Sequence, residues 1–227
     1  GPQKEQHRFG EAKERDALTQ EKHPHKHTTM KLYSIVLVRY NVEGDPIVLD
    51  AAYNVSSFSF FKRGTVKDVC RFLARTLVKR AGKSNWMSVT ENEFVIHTIT
   101  KANGLGGVWI TDEEYPQRVA FGVLNNILDE FNESYGGRIE GDRDGSMPMD
   151  SLKDYITKFQ DPMEADAILR VQKELDETKI IVHKAIDSVL ERGERLDNLV
   201  QVSGDLSSQA KGFYRTSRDA NKCCVVL

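Results

Sequence analysis

Apolar and polar positions follow two different rules along this chain, and the change falls near residue 165. Before it, short runs and short helical stripes alternate. Leu32 to Arg39 is a β-branched, apolar run and predicts a strand; Gly44-Asp45-Pro46 makes a turn, and Ile47 to Tyr53 predicts the second strand of a hairpin. Over residues 65–81, Val66, Val69, Leu73 and Leu77 share one stripe, which predicts a helix capped by Thr65 and ended by Gly82. Trp86 to Thr90 and Phe94 to Thr100 predict two more strands. Val108 to Thr111, after a glycine-rich hairpin turn at Gly104-Leu105-Gly106-Gly107, predicts a fifth. Asp112 offers a cap to a second long helix over 115–135, whose apolar positions Val119, Val123, Leu124, Ile127, Leu128 and Phe131 recur at helical spacing. Pro116 falls in its first turn, where a missing N–H costs little. The order β-β-α-β-β-β-α predicts an α+β fold, a five-stranded, mostly antiparallel sheet with flanking helices, over residues 30–140. Residues 141–161 read as a linker with a short helix from Leu152 to Phe159.

After Pro162 the period becomes seven. Alternating steps of three and four give Ile168, Val171, Leu175, Thr178, Val182, Ala185, Val189, Arg192, Leu196, Leu199, Ser203, Leu206, Ala210, Phe213, Ser217 and Ala220, of which twelve of sixteen are apolar. This is a coiled-coil seam over residues 162–222. As one helix it runs about 80 Å, longer than the preceding domain is wide. Arg192 interrupts the seam between Val189 and Leu196. A core arginine is costly unless acceptors meet it. One buried polar layer fixes the register of several helices; the alternative is an arginine that snorkels out at the edge of a dimer. Gly193, Gly204 and Gly212 each cost roughly 1 kcal/mol in a helix interior, so the segment folds fully only when partners supply burial.

Composition narrows the classes. The 227 residues carry a formal charge of −2, which offers no basic field for nucleic acid. No apolar run is long enough to span a bilayer, and residues 1–29 lack the apolar core of a secretory signal. That polar segment reads as a disordered tail or as an addition foreign to the fold: Gly1-Pro2 resembles a protease-cleavage scar, and Met30 reads as a natural start. His23, His25 and His27 lack carboxylate or thiolate partners at ligand spacing, so no metal is expected. The three cysteines do not make a disulfide framework and suit a reducing, cytosolic setting; Cys70 reads as a small core residue. No phosphate loop follows Gly104-Leu105-Gly106-Gly107. His97, in a strand, and His183, on the last helix, have no nucleophile paired in sequence, so no enzyme is expected.

The last five residues carry the sharpest signal. Cys224 followed by Val225-Val226-Leu227 fits a prenylation box, and a terminal Leu favours geranylgeranyl over farnesyl. Cys223 is then a site for a second, palmitoyl-type lipid, which separates stable from transient anchoring. Lys211, Arg215, Arg218 and Lys222 against Asp219 leave +3 over residues 211–222, favourable on an anionic leaflet.

These features together resemble the longin-type R-SNARE family of membrane-fusion proteins, and within it the lipid-anchored type without a transmembrane helix. The resemblance rests on Lys31-Leu32-Tyr33-Ser34, Ala51-Ala52-Tyr53 and Val55-Ser56-Ser57-Phe58-Ser59-Phe60-Phe61. It continues in Glu114-Tyr115-Pro116, Arg118-Val119-Ala120-Phe121, Glu174-Leu175-Asp176-Glu177-Thr178-Lys179, Leu190-Glu191-Arg192-Gly193-Glu194-Arg195-Leu196 and the Cys-Cys end. It implies a longin (profilin-like) domain followed by a SNARE motif. Arg192 is then the ionic central layer of a parallel bundle with three Q-SNARE helices (Qa, Qb and Qc), and zippering toward the tail draws membranes together. It further implies a closed cytosolic state in which the segment folds back on the longin domain, with Phe72 as a groove contact. It implies covalent prenyl and acyl lipids, a prenyltransferase and no other cofactor. The expected location is the cytoplasm and the cytosolic face of Golgi, ER-derived, endosomal or vacuolar membranes. Members of the family often end in Met, so farnesyl and geranylgeranyl remain alternatives. A lipid-anchored longin scaffold with a simple dimeric coiled coil is the competing reading.

Overall fold

A computed structural model of the protein describes residues 30–165 and 179–223. The expected disordered tail (1–29), the seam positions Ile168, Val171, Leu175 and Thr178, and Cys224 with the residues after it lie outside that range. The sheet begins with β1 (Leu32–Arg39), β2 (Ile47–Tyr53), β3 (Trp86–Glu91), β4 (Phe94–Thr100) and β5 (Leu105–Asp112). All pairings among these five are antiparallel, in the spatial order β2-β1-β5-β4-β3, as the strand reading expects. A sixth strand, β6 (Ile180–His183), adds in parallel to the free edge of β3.

Helix α1 (Phe60–Ala81) covers one face and α2 (Gln117–Ser134) the other. α1 starts five residues ahead of the expected Thr65, and Gly82, at φ 67°, ends it as expected. α2 starts after Pro116, while Asp112 accepts the Tyr115 N–H at 3.1 Å just upstream. Gly106 and Gly107, expected in a turn, lie inside β5. A Cβ at Gly106 would sit 3.0 Å from Val78 of α1, and one at Gly107 would sit 2.8 Å from Leu124 of α2. Both helices therefore press onto the sheet where the strand has no side chains.

The α2 side of the core is sealed by Trp109, Phe121, Phe131 and Phe159, all fully buried. Phe159 follows α3 (Leu152–Lys158), and Tyr115 donates to its carbonyl at 2.9 Å. The stretch before α3 covers the outer edge of β2. Val48 N–H donates to Asp144, Gly145 N–H to the Val48 carbonyl and Met149 N–H to Asp50, at 3.1, 2.9 and 2.8 Å. Residues 141–161 thus pack on the domain instead of hanging from it, and both original sheet edges are capped.

Candidate functional site: the wrapped carboxyl-terminal segment

One uninterrupted helix at seam spacing is not the arrangement found over residues 179–223. The segment runs as β6, a 3-10 turn at Ile186–Ser188, α4 (Leu196–Val202) and α5 (Ser208–Cys223), wrapped across the α1 side of the domain. The physical reason is burial: without partner helices, an isolated seam finds apolar cover only on its own domain. His183, expected on a helix, lies in β6.

β6 enters because Ile180-Ile181-Val182 is itself a β-branched run. Ile180 pairs with Trp86 and His183 with Val89. The Ile186 N–H then donates to Glu91 at 3.1 Å, which fixes where the strand ends. Next, the chain turns at Arg192 and Gly193. Gly193 has φ 92°, a conformation that favours glycine. The Leu196 N–H, at the start of α4, donates to Asp187 at 2.8 Å. Two arginines of α1 tie the wrap down. Arg80 pairs with Glu191 and, at 2.6 Å, with Glu194, on either side of the turn. Arg75 pairs with Asp144 and, at 2.6 Å, with Asp205 before α5. Arg218 of α5 pairs with Asp197 of α4.

Ile180 of β6 is buried in the α2-side core, and Ile186, Leu190, Leu196, Val200, Leu206 and Ala210 are buried in one cluster with Phe72, Val66 and Leu77 of α1. Phe72 is 8% exposed and packs within that cluster. Of the seam positions, Leu196, Leu206 and Ala210 are buried here, while Ala185, Val189, Leu199, Ser203 and Phe213 are half-buried. Val182 and Ser217 are exposed, and so is Arg192, at the turn. Ala220 and Cys223 fall in the last turns of α5.

Ile186, Leu190 and Val200 are functional candidates absent from the expected seam. Each follows a seam residue by one position (Ala185, Val189, Leu199). The signal was available as adjacent apolar pairs, which a seven-residue repeat does not require.

A groove of about 350 Å³ opens beside α5, lined by Tyr33, Phe58, Leu73, Phe94, Phe213 and Tyr214 among others. Its floor includes Cys70, whose thiol burial pushes up to about 11, so it is a neutral packing residue with no nucleophilic role. Burial, reinforced by Glu91 and Asp187, also raises the Tyr214 phenol. Among the described residues, no group of three or more His, Cys, Asp or Glu side chains is placed to hold a metal. No described helix is long and apolar enough to cross a membrane.

This division of the chain is matched by known families. Residues 55–156 match the longin family, described as a regulated-SNARE-like domain, and residues 167–225 match the synaptobrevin family. The chain is 45% identical to the synaptobrevin homologue YKT6 of Yarrowia lipolytica, over 87% of this chain and 100% of that protein. It is 42% identical to the VAMP-like protein YKT61 of Arabidopsis thaliana and 40% identical to the synaptobrevin homologue ykt6 of Schizosaccharomyces pombe, each with the same coverage. With a longin domain, a synaptobrevin segment and similarity along the whole length of these relatives, the chain belongs to the longin-type R-SNARE family, whose members are not enzymes and need no cofactor beyond covalent lipid.

Proposed function

We propose that this chain is an R-SNARE of intracellular vesicle traffic that alternates between the wrapped form and a four-helix bundle with three Q-SNARE helices. In the bundle, the seam from Ile168 to Ala220 is buried and Arg192 forms the central layer, met by glutamines of the partners. Burial of the seam supplies the work that brings two membranes together. Cys224 carries the prenyl group and Cys223 the acyl group, placing the protein on the cytosolic face of Golgi, ER-derived, endosomal or vacuolar membranes. The wrapped form is the closed, cytosolic state, and the apolar groove beside α5 gives the prenyl chain cover there.

One observation carries this reading: the seam residues Leu196, Leu206 and Ala210 are buried against α1 and its neighbours. They cannot face a partner bundle at the same time, so wrapping and zippering exclude each other. The layer arginine fits both forms. Exposed at the turn, it keeps its hydration; in the bundle it must be met by acceptors. Its neighbour Gly193 favours the turn and disfavours the helix by roughly 1 kcal/mol.

The test mixes the full chain with three glutamine-bearing SNARE helices. An SDS-resistant complex should form, the backbone chemical shifts of residues 180–183 should pass from strand to helix as it does, and Arg192→Ala should weaken its assembly. A complex in which those residues keep their strand shifts, or assembly indifferent to Arg192→Ala, would overturn the proposal.

A further inference from the structure

Phe60 and Phe61 open α1 with side chains 77% and 92% exposed, the only aromatics among the large exposed hydrophobics of the described residues. A phenylalanine left in water forgoes the stabilisation that burial of its ring would give. The two rings pack edge-on at 5.7 Å, and nothing lies within 4 Å of a Cβ placed at the neighbouring Gly64, so the tip stands clear of the domain. Its loop is braced: Arg63 donates to the carbonyls of Phe58 and Ser56 at 3.1 and 3.3 Å. Residues 51–67 hold Lys62, Arg63 and Lys67 and no carboxylate. The first turn of α1 has no acidic residue, although carboxylates stabilise that end of a helix.

The position of the tip adds a second observation. α5 runs antiparallel to α1. Asp205, just before it, meets Arg75 at 2.6 Å, whereas the ring of Phe213 lies 5.9 Å from the Lys62 ammonium. The helix that ends at Cys223 therefore heads toward the same end of the molecule as the Phe60–Phe61 tip.

We propose that Phe60 and Phe61 insert into the interface of an anionic membrane while Lys62, Arg63 and Lys67 hold its headgroups. A second copy of the chain fits the surface less well. Two phenylalanines offer roughly 300–500 Å², short of the about 800 Å² per partner of a stable protein interface. The contact does not require the lipid anchor. Because tip and anchor share one end, the tip gives the wrapped form a reversible first contact with the surface that the anchor engages once its lipid leaves the groove.

The full chain without lipid modification is sedimented with phosphatidylcholine vesicles, with and without phosphatidylserine, at near-physiological salt. The wild type should bind only the anionic vesicles. Phe60→Ser combined with Phe61→Ser should lower the partition coefficient by about tenfold or more, with the Tm unchanged. Lys62→Glu with Arg63→Glu should lower it by about as much. Equal binding by wild type and the double-serine variant would overturn the proposal, as would no wild-type binding to anionic vesicles. A concentration-dependent dimer that the double-serine variant abolishes would assign the tip to a second copy instead. Since no lipid anchor or partner helix is present, any of these failures leaves the fusion reading untouched.

Discussion

On the α2 side of the sheet, Phe121 stacks on Trp86 at 5.6 Å, meets His97 edge-on at 5.1 Å, and is fully buried. On the α1 side, the wrapped segment buries a smaller apolar set and ties its rim with ion pairs whose carboxylates face water; Glu191 is 73% exposed and Asp205 is 54% exposed. The α2 side is built from residues with no other place to go. The α1 side is closed in part by residues, Leu196, Leu206 and Ala210, that also fall on the heptad repeat. On the proposed reading, the difference lets one chain keep a rigid domain and a releasable arm, because the arm is closed by contacts worth little individually.

The largest expected effect lies on the rigid side. Phe121→Ala should cost roughly 3–5 kcal/mol of global stability, read by urea denaturation. Both the domain and the arm should unfold in that one transition, because the arm has no support without the sheet. A loss confined to the arm, with the sheet as stable as before, would erase the distinction between the two sides.

Next is pH. His97 is buried in β4 with its Nδ1 3.2 Å from Ser88 Oγ, and burial lowers its pKa to about 4. The unfolded chain takes up this proton first, near pH 6.5. The stability that neutral His97 contributes is therefore full above pH 6.5 and is lost as pH falls from there toward 4. The loss should reach roughly 3 kcal/mol. His97→Gln should flatten this part of the stability profile. If arm release, followed by exchange of residues 180–183, tracked the same titration at unchanged domain stability, the group would belong to the arm and not to the core.

Much of the rigid side was legible in the sequence. β1, β2 and β4 follow from β-branched runs and alternation, and α2 from six apolar residues at helical spacing. The start of β5 was not, because Gly106 and Gly107 read locally as a turn; only the approach of Val78 and Leu124 explains glycine inside a strand. The start of α1 was missed for a related reason. Phe60 and Phe61 lie outside its buried stripe, and Ser59 before them makes no side-chain capping bond. The arm shows how far periodicity reaches. A repeat of seven reads as one helix, and nothing in that repeat reveals a second set of contacts. The β-branched run at 180–182, the pairs Val189-Leu190 and Leu199-Val200, and Gly193 after Arg192 all speak for the wrapped form. Each is local, and the heptad, being longer, outweighs them when the chain is read in one dimension. The burial of Phe72 was not legible, since it lies off the stripe of Val66, Val69, Leu73 and Leu77 and helical spacing alone does not show that α1 is covered on two sides.

The smallest expected effect is the most specific to the arm. Arg80 is 16% exposed and holds both Glu191 and Glu194, so it clamps the two ends of the Gly193 turn to α1. Glu191 faces water and Glu194 is half-buried; pairs this close to solvent are worth about 1 kcal/mol or less, and salt weakens them. Arg80→Ala should therefore lower the free energy of arm opening by about 1 kcal/mol, seen as faster exchange across residues 180–202, while urea denaturation of the domain stays where it was. Raising the salt should loosen the wild-type arm toward the variant and move the variant less, because the variant has already lost the pairs being screened. The two sides differ in kind only if this holds. A domain that weakens as much as the arm would mean that Arg80 and the turn are part of one cooperative unit with the sheet, and that release for zippering must be driven by the partner helices alone.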